Sequence, residues 1–585
     1  MAARLGNKEF TVDTEDVITD VARERAAQLE IRIIKAPSGS EPNGDRNAAV
    51  EINDKIGAAE AKTNLSAPGG NISLDLFQNE LAQLKKEIDQ LKTDGLNNGR
   101  KEKEITAFAQ AGSSATDTGS LTTGRAPVVE ADLVIKNGSL VIPRLGVFRG
   151  DLEIVGRKIA AISVNGQARG KKTIDAAGLY VLPGVMDPHV HLGIFGDLQE
   201  EMEKETASAL LGGVTTAGCF LYSEASYFDY LPSFVELVER YSFIDIFPHL
   251  VITTPQQVEE IPAYIRDLNI TSFKVYMCGV PGLIPSMSDD KILDVFEKVK
   301  GFGDVSIAIH AENSHLVDRF TAQHHQRVEQ NNDLLSWSET RPSLTEEEAV
   351  KRAVLLAQNY GVNIYLVHLS AKGSIEVIRE SRRSGGTCSL YAETTSPYLT
   401  IDTDSQMGAR GKMIPPFRAP EHREALWEGL REGIIDTVGT DNVTINLAEK
   451  KVEQGMGEAL PGYPALATHL PSLLHEGVNK GRIDLARLAE AISLRPAEIF
   501  GLYPAKGSLL PGSDADIVIV DLETRRTVDP LKLGSRSDFS LFEGKELIGW
   551  PAFTVKSGEI VMQTGELLAT AKRKGMVIRR MPKRD

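Results

Sequence analysis

Cysteine is nearly missing from this chain: three among 585 residues, Cys219, Cys278 and Cys388. The number is odd, the spacings are wide, and each lies in an apolar, strand-like run. That argues against a disulfide framework or a thiolate metal site and reads as reduced core cysteines of a cytoplasmic protein. No apolar run is long enough to span a bilayer, and the first residues, MAARLGNKEF, lack the apolar stretch of a signal peptide. Positive charge is also in short supply, with 65 Lys and Arg against 81 Asp and Glu and a formal net charge of −16. Such a surface repels phosphate and anionic lipid, so neither nucleic acid nor a membrane is an expected partner.

Aromatic residues are scarce in the first 126 positions, which hold no Trp or Tyr and only Phe10, Phe77 and Phe108. Little apolar surface can be buried there, so residues 1–126 read as an N-terminal extension with a flexible linker. One apolar stripe stands out: Leu74, Phe77, Leu81, Leu84, Ile88 and Leu91, at steps of three and four, predict a heptad-like helix over about 74–93, closed by Gly95. It could pair between subunits as a short coiled coil, or lie on its own domain.

After the extension the pattern changes. ADLVIKNGSLVIP and GDLEIVGRKIAAISV read as short strands with Gly or Asn turns, and DADIVIVDL and AFTVKSGEIVM repeat that pattern near the other end. Segments 127–180 and 504–568 are therefore expected to form one small β-sandwich domain, with 181–503 inserted between them. Residues 569–585, rich in Lys and Arg, read as a solvated or partner-clasping tail. The insert alternates eight apolar strands (VLPGVMDPHVHL, VTTAGCFL, DIFPHLVIT, TSFKVYM, VSIAIHA, NIYLVHL, TCSLYAE and IIDTVGTD) with helix-length segments. That is the pattern of an α/β protein with a closed (β/α)8 TIM barrel.

The C-terminal ends of these strands carry the chemistry. His189 and His191, two apart on the first strand, face the same side and can share a cation. The fourth strand carries Lys274, the fifth His310, the sixth His368 and the eighth Asp441. In a TIM barrel these ends form one rim, where such barrels do their chemistry. A single histidine at a strand end is more often structural, and Lys274 in an apolar strand is anomalous because a buried ammonium is costly. His249, His315, His324, His325, His422, His469 and His475 lack this placement and read as structural.

With GVMDPHVHLG, TSFKVYM, AIHAEN, YLVHLSA, AETTSPYL, KMIPPFR and GTDNVT on the page, the chain from about 130 to 565 resembles the amidohydrolase superfamily, in its hydantoinase, dihydropyrimidinase and allantoinase branch. The resemblance implies two divalent metal ions per subunit, usually zinc. His189, His191 and Asp441 would bind one, His310 and His368 the other, and Lys274, as an N6-carboxylysine, would bridge them. It also implies attack by a metal-bridging hydroxide on a cyclic amide, imide or ureide, with Asp441 as the catalytic proton carrier. The branch commonly forms homodimers or homotetramers, and the N-terminal region could recruit a further subunit.

The chain also departs from its relatives. Dihydroorotases carry an arginine just after the HxH pair, whereas Leu192, Gly193, Ile194 and Phe195 follow His191 here. Hydantoinases usually place a tyrosine five residues after the bridging lysine, at what is Gly279, and a serine at what is Ile414. Substrate-contact candidates on the rim loops are Phe195, Cys278, Ser396, Tyr398, Asn442 and Tyr463. Competing readings are hydrolysis of an acyclic amide or ureido compound, another metal-assisted reaction such as decarboxylation, and a non-catalytic assembly protein like the collapsin response mediators, against which the intact ligand set speaks.

Overall fold

A computed structural model describes residues 9–12, 32–35, 130–163, 166, 168–386 and 388–580. The helix expected over 74–93 lies outside the described residues. Within the extension, strands Glu9–Val12 and Arg32–Lys35 pair in parallel.

The insert folds as the strand pattern requires. Barrel strands Val185–His191, Val214–Leu221, Asp245–Val251, Ser272–Tyr276, Ser306–His310, Asn363–Leu366 and Leu390–Thr395 pair in parallel, each with the next. Their side chains are almost all buried. A parallel strand covered by helices on one face and packed inside a barrel on the other has no face left for water. The eighth strand is broken. Thr437–Gly439 pairs with the seventh strand, and Asn442–Val443 pairs with the first. The two halves together close the ring, and Thr440 and Asp441 occupy the break.

Helices wrap the barrel and start where the sequence supplies caps. Thr254 and Gln257 form a reciprocal capping box at the helix Pro255–Asp267, and Asp197 caps Leu198–Leu211. The longest helices end on residues in the left-handed region, Asn332 and Gly361.

A second, mixed sheet draws strands from both flanks of the insert: Ala131–Ile142, Gly146–Val155 and Tyr180–Pro183 from one side, and Ile517–Thr527, Glu546–Lys556 and Glu559–Gln563 from the other. Its own apolar core runs from Leu133 and Ile135 to Ile517, Ile519 and Val555. A buried charge cluster ties this sheet to the barrel base. Lys506 Nζ lies 2.6 Å from both Asp245 Oδ2 and Asp516 Oδ2, and Lys556 Nζ bonds the same two carboxylates.

Part of the tail, read from sequence as a solvated or partner-clasping end, lies on the barrel. Ile246 N donates to Met576 O at 2.9 Å and Ile578 N to Ile246 O at 2.8 Å, so residues 576–578 lie along the start of the third barrel strand. Met576, Val577 and Ile578 interrupt the basic residues with an apolar stretch, and Ile578 packs against the aromatic cluster around Phe247 and Phe500. Net charge hid this short adhesive segment. The three cysteines are free, with Cys219 and Cys278 buried and Cys388 partly exposed. No helix among the described residues is long and apolar enough to cross a membrane.

Candidate metal centre and cavity

The six residues named from strand ends meet at the C-terminal mouth of the barrel. His189 Nε2, His191 Nε2 and Asp441 Oδ1 lie 3.2 Å from one another. The His189 Nδ1 is 2.7 Å from Glu393 Oε1. Glu393 is an acceptor throughout: its Oε1 takes the His368 N–H and its Oε2 the Tyr365 hydroxyl. The tautomer this selects carries its proton on Nδ1, so the Nε2 lone pair of His189 faces the carboxylate of Asp441.

The same logic orients the second pair. His310 Nε2 lies 3.1 Å from Glu312 Oε2, which also accepts from Arg341 Nη1 at 2.6 Å. Burial alone would raise the Glu312 carboxyl, but Arg341 and His310 bring it down to about 2. With its proton on Nε2, His310 turns the lone pair of Nδ1 toward His368 Nε2, 2.9 Å away. The rings of His189 and His368 stand 5.5 Å apart, linking the two groups.

Lys274 sits among them, fully buried, with no hydrogen-bond partner for its Nζ. It lies over the rings of Phe220 and Tyr276, at 4.7 and 4.9 Å from their centroids. Burial pushes its pKa down to about 7, opposed by the charges of Asp441 and Glu393. Burial also holds the His189 and His368 imidazoles well below their ordinary range and lowers His310, so all three are neutral. Asp441 would be raised by burial, but His189, His191 and Lys274 bring it to about 2.

This donor set fits divalent cations. Neutral imidazoles and a carboxylate are ligands for zinc-like ions. Lone pairs facing one another at about hydrogen-bond distance repel unless a cation stands among them, and the orphaned Lys274 Nζ asks for the same neutralising chemistry. Two of these residues hold strained backbone: Asp441 at φ 55° and His368 at φ 40°. Such conformations cost about 1–3 kcal/mol each and persist where the surroundings over-determine them. For Asp441 the surroundings are Asp187, which accepts from Thr440 N at 3.0 Å and Thr440 Oγ1, and His189 O, which accepts from Asp441 N at 2.9 Å.

A cavity of about 240 Å³ opens over the cluster. Its apolar wall includes Ile194, Phe195, Leu283, Ile284, Met413 and Ile414, and Tyr222, Tyr230 and Tyr276 also face it. Among the described residues lining it, Asp441 is the only carboxylate, and there is no Lys or Arg.

Of the six contact candidates on the rim loops, Phe195 lines this cavity and the other five do not. Cys278 is buried beside Arg341, its Sγ 4.0 Å from Nη1. Ser396 Oγ bonds His469 Nδ1 at 2.8 Å, and Tyr398 donates its hydroxyl to Pro415 O. Asn442 Oδ1 accepts from Ala465 N at 2.8 Å, and Tyr463 stacks on Phe417. These five hold the walls together from behind. Glu393, Glu312 and Asp187 escaped the sequence reading, although each carried a signal: an acidic residue in or beside a strand whose neighbours are buried, the same anomaly that marked Lys274.

Comparison with known proteins agrees with this geometry. The sequence profile of the amidohydrolase family matches residues 180–561. An L-hydantoinase of Paenarthrobacter aurescens is 33% identical over 448 residues, which is 75% of this chain and 96% of the relative. A dihydroorotase of Halalkalibacterium halodurans is 31% identical over 442 residues, 74% of this chain and 99% of the relative. Among solved structures, an L-hydantoinase (dihydropyrimidinase) from Arthrobacter aurescens superposes with a TM-score of 0.71 at 32% identity, covering 77% of this chain and 100% of that one.

Proposed function

The chain belongs to the amidohydrolase family, and from that premise we propose that it is a metal-dependent hydrolase that opens an uncharged cyclic amide, imide or ureide. The observation that carries this reading is the convergence of four histidines, Asp441 and an unpartnered Lys274 beneath a cavity walled by apolar side chains.

His189, His191 and Asp441 would hold one divalent ion, His310 and His368 a second, and Lys274, carboxylated on Nζ, would join both. Bound there, two ions of the zinc class supply Lewis acidity toward a carbonyl and ionise water near neutral pH. The chain's own residues do the rest. A lysine whose pKa lies at about 7 is substantially neutral at physiological pH, and the neutral amine is the form that adds carbon dioxide. Asp441, ionised at about 2, accepts the proton of the attacking water and returns it to the ring nitrogen as the C–N bond breaks. Glu393 and Glu312 fix the tautomers of His189 and His310 so that the correct nitrogens face inward. Ile194, Phe195, Leu283 and Ile284 exclude bulk water and receive the apolar part of the ring or its substituent.

One relative is named a dihydroorotase, whose substrate is a carboxylate by its name. Among the described residues lining the cavity there is no Lys or Arg to pair with that charge, which favours neutral rings. The three free cysteines suit a reducing compartment such as the cytoplasm, and the enzyme works as a homodimer or homotetramer.

The test is a screen of uncharged cyclic ureides, imides and lactams with zinc-, manganese- and cobalt-loaded protein, read by mass spectrometry. Ring opening adds one water and releases no fragment. Loss of a small fragment instead would replace ring hydrolysis with acyclic cleavage or decarboxylation, and metal-loaded protein inert toward every ring would overturn the reading.

A further inference from the structure

Water addition to an amide carbonyl loads negative charge on its oxygen, and a neutral donor aimed at that oxygen stabilises the transition state. Among the described residues lining the cavity, the side-chain hydroxyls are those of Tyr222, Tyr230 and Tyr276. Tyr222 gives its hydroxyl to Glu224 at 3.2 Å, on an exposed part of the rim. Tyr230 belongs to the helix Tyr227–Tyr241 and makes its ring contacts with Tyr227 and Phe234.

Tyr276 is different. It ends the fourth barrel strand, two residues beyond Lys274, and is the register partner of His310 on the fifth strand. Residues two apart share a face, and directly paired residues on neighbouring strands do too, so Lys274, Tyr276 and His310 all face the barrel interior. The Tyr276 ring stacks on His310 with centroids 5.3 Å apart and planes 26° off parallel. Its hydroxyl bonds no described residue. It is not among the fully buried orphan atoms, and Tyr276 is one of the residues that line the cavity.

Gly279 supplies an independent observation. The loop after the strand folds back, with Val280 and Ile284 bridged. A Cβ at 279 would stand 2.3 Å from Ile284 O and 2.7 Å from Ser286 N. Backbone, not a movable side chain, closes that position, so the loop cannot offer a side-chain donor from it. Ile284 and Val280 pack against Tyr276 and line the cavity beside it.

Resting on the reading of the reaction given above, we propose that the phenolic hydroxyl of Tyr276 is the side-chain donor to the substrate carbonyl oxygen as it becomes an oxyanion. No bond to the tyrosine forms; the hydroxyl keeps its proton and shares it with the oxygen while the C–N bond breaks.

The test compares wild type with Tyr276→Phe, which keeps the ring and removes only the oxygen. Turnover is measured on the best ring from the screen. Binding of a five-membered cyclic phosphonamidate, a tetrahedral anion, is measured by calorimetry, and metal content by elemental analysis. The expected result is a kcat lower by roughly 10²-fold or more with KM little changed. The tetrahedral probe should weaken by a similar factor, with metal content equal to wild type. Y276F that matches wild type in kcat and probe affinity overturns the tyrosine assignment alone. A metal-loaded wild type that neither opens a ring nor binds the probe overturns the reaction and the assignment together.

Discussion

Lys274 and the pair Lys506 and Lys556 are buried at opposite ends of one barrel and are treated in opposite ways. At the base, two ammonium groups share two carboxylates, Asp245 and Asp516, with four short contacts, and Asp514 adds a fifth to Lys506 at 3.0 Å. At the mouth, one lysine faces aromatic rings and histidines, and its Nζ bonds nothing. Burial opposes the charge of both Lys274 and Lys506, but only at Lys506 do neighbouring carboxylates overcome it and raise the pKa well above its ordinary value. Removing a charge from water without compensation is expensive, so an uncompensated one persists only where something other than stability selects it. The base is built to join the two sheets, and the mouth to receive ligands.

Lys274→Ala strikes the mouth hardest. It should abolish binding of the paired metals, read by elemental analysis, and lower ring opening by at least about 10³-fold, since activity rests on the metals. It should not lower the melting temperature of metal-free protein, because a buried amine without a hydrogen-bond partner contributes no net stability. A metal-free K274A that melts well below metal-free wild type would break the contrast. Asp245→Asn is the counterpart at the base. It takes from Lys556 one of its two carboxylate partners and from Lys506 one of three and should cost about 3–5 kcal/mol in urea unfolding, while the folded fraction keeps its kcat. A variant as stable as wild type would show that the cluster does not hold the sheets together.

Glu393→Gln sharpens the picture at the mouth. It removes the charge behind His189 Nδ1 and should weaken metal binding by about 10–100-fold in a competition with a chelator; unchanged affinity would mean that Glu393 only fills space. The smallest effect concerns acid. Burial would raise the Asp516 carboxyl, yet Lys506 and Lys556 hold it well below its ordinary value. A carboxylate depressed in the folded state contributes its full stability above the unfolded value of about 3.9 and loses it as pH falls toward the folded one. Melting of metal-free protein should therefore decline below about pH 4, and Asp516→Asn should flatten that decline. An equally steep decline in D516N would assign the acid sensitivity elsewhere.

The contrast between the two ends was only half legible in the sequence. The mouth could be read because its residues follow a rule of position: His189, His191, Lys274, His310, His368 and Asp441 all fall at strand ends, and strand ends of a barrel share a rim. The base could not, because Asp245, Lys506, Asp516 and Lys556 are ordinary charged residues near strand or loop boundaries, and only the pairing of the flanking segments brings them together. Pocket walls were the least readable part. Ser396, Tyr398, Asn442 and Tyr463 belong to rim stretches but bond backward into packing, whereas Tyr222, Leu283 and Met413 come from loops whose course depends on packing far along the chain. Tyr276 was not singled out in the sequence, because its alignment with His310 needed the inter-strand register.

The break in the eighth strand has a consequence in time as well as in space. Asp441 stands at the seam where the last barrel strand to be synthesised meets the first, bonded to residues more than 250 positions earlier. A nascent chain that has passed His191 carries His189 and His191 but not Asp441, and nothing upstream of residue 437 supplies the strand that holds it. The grouping of His189, His191 and Asp441 therefore requires the ring to be sealed.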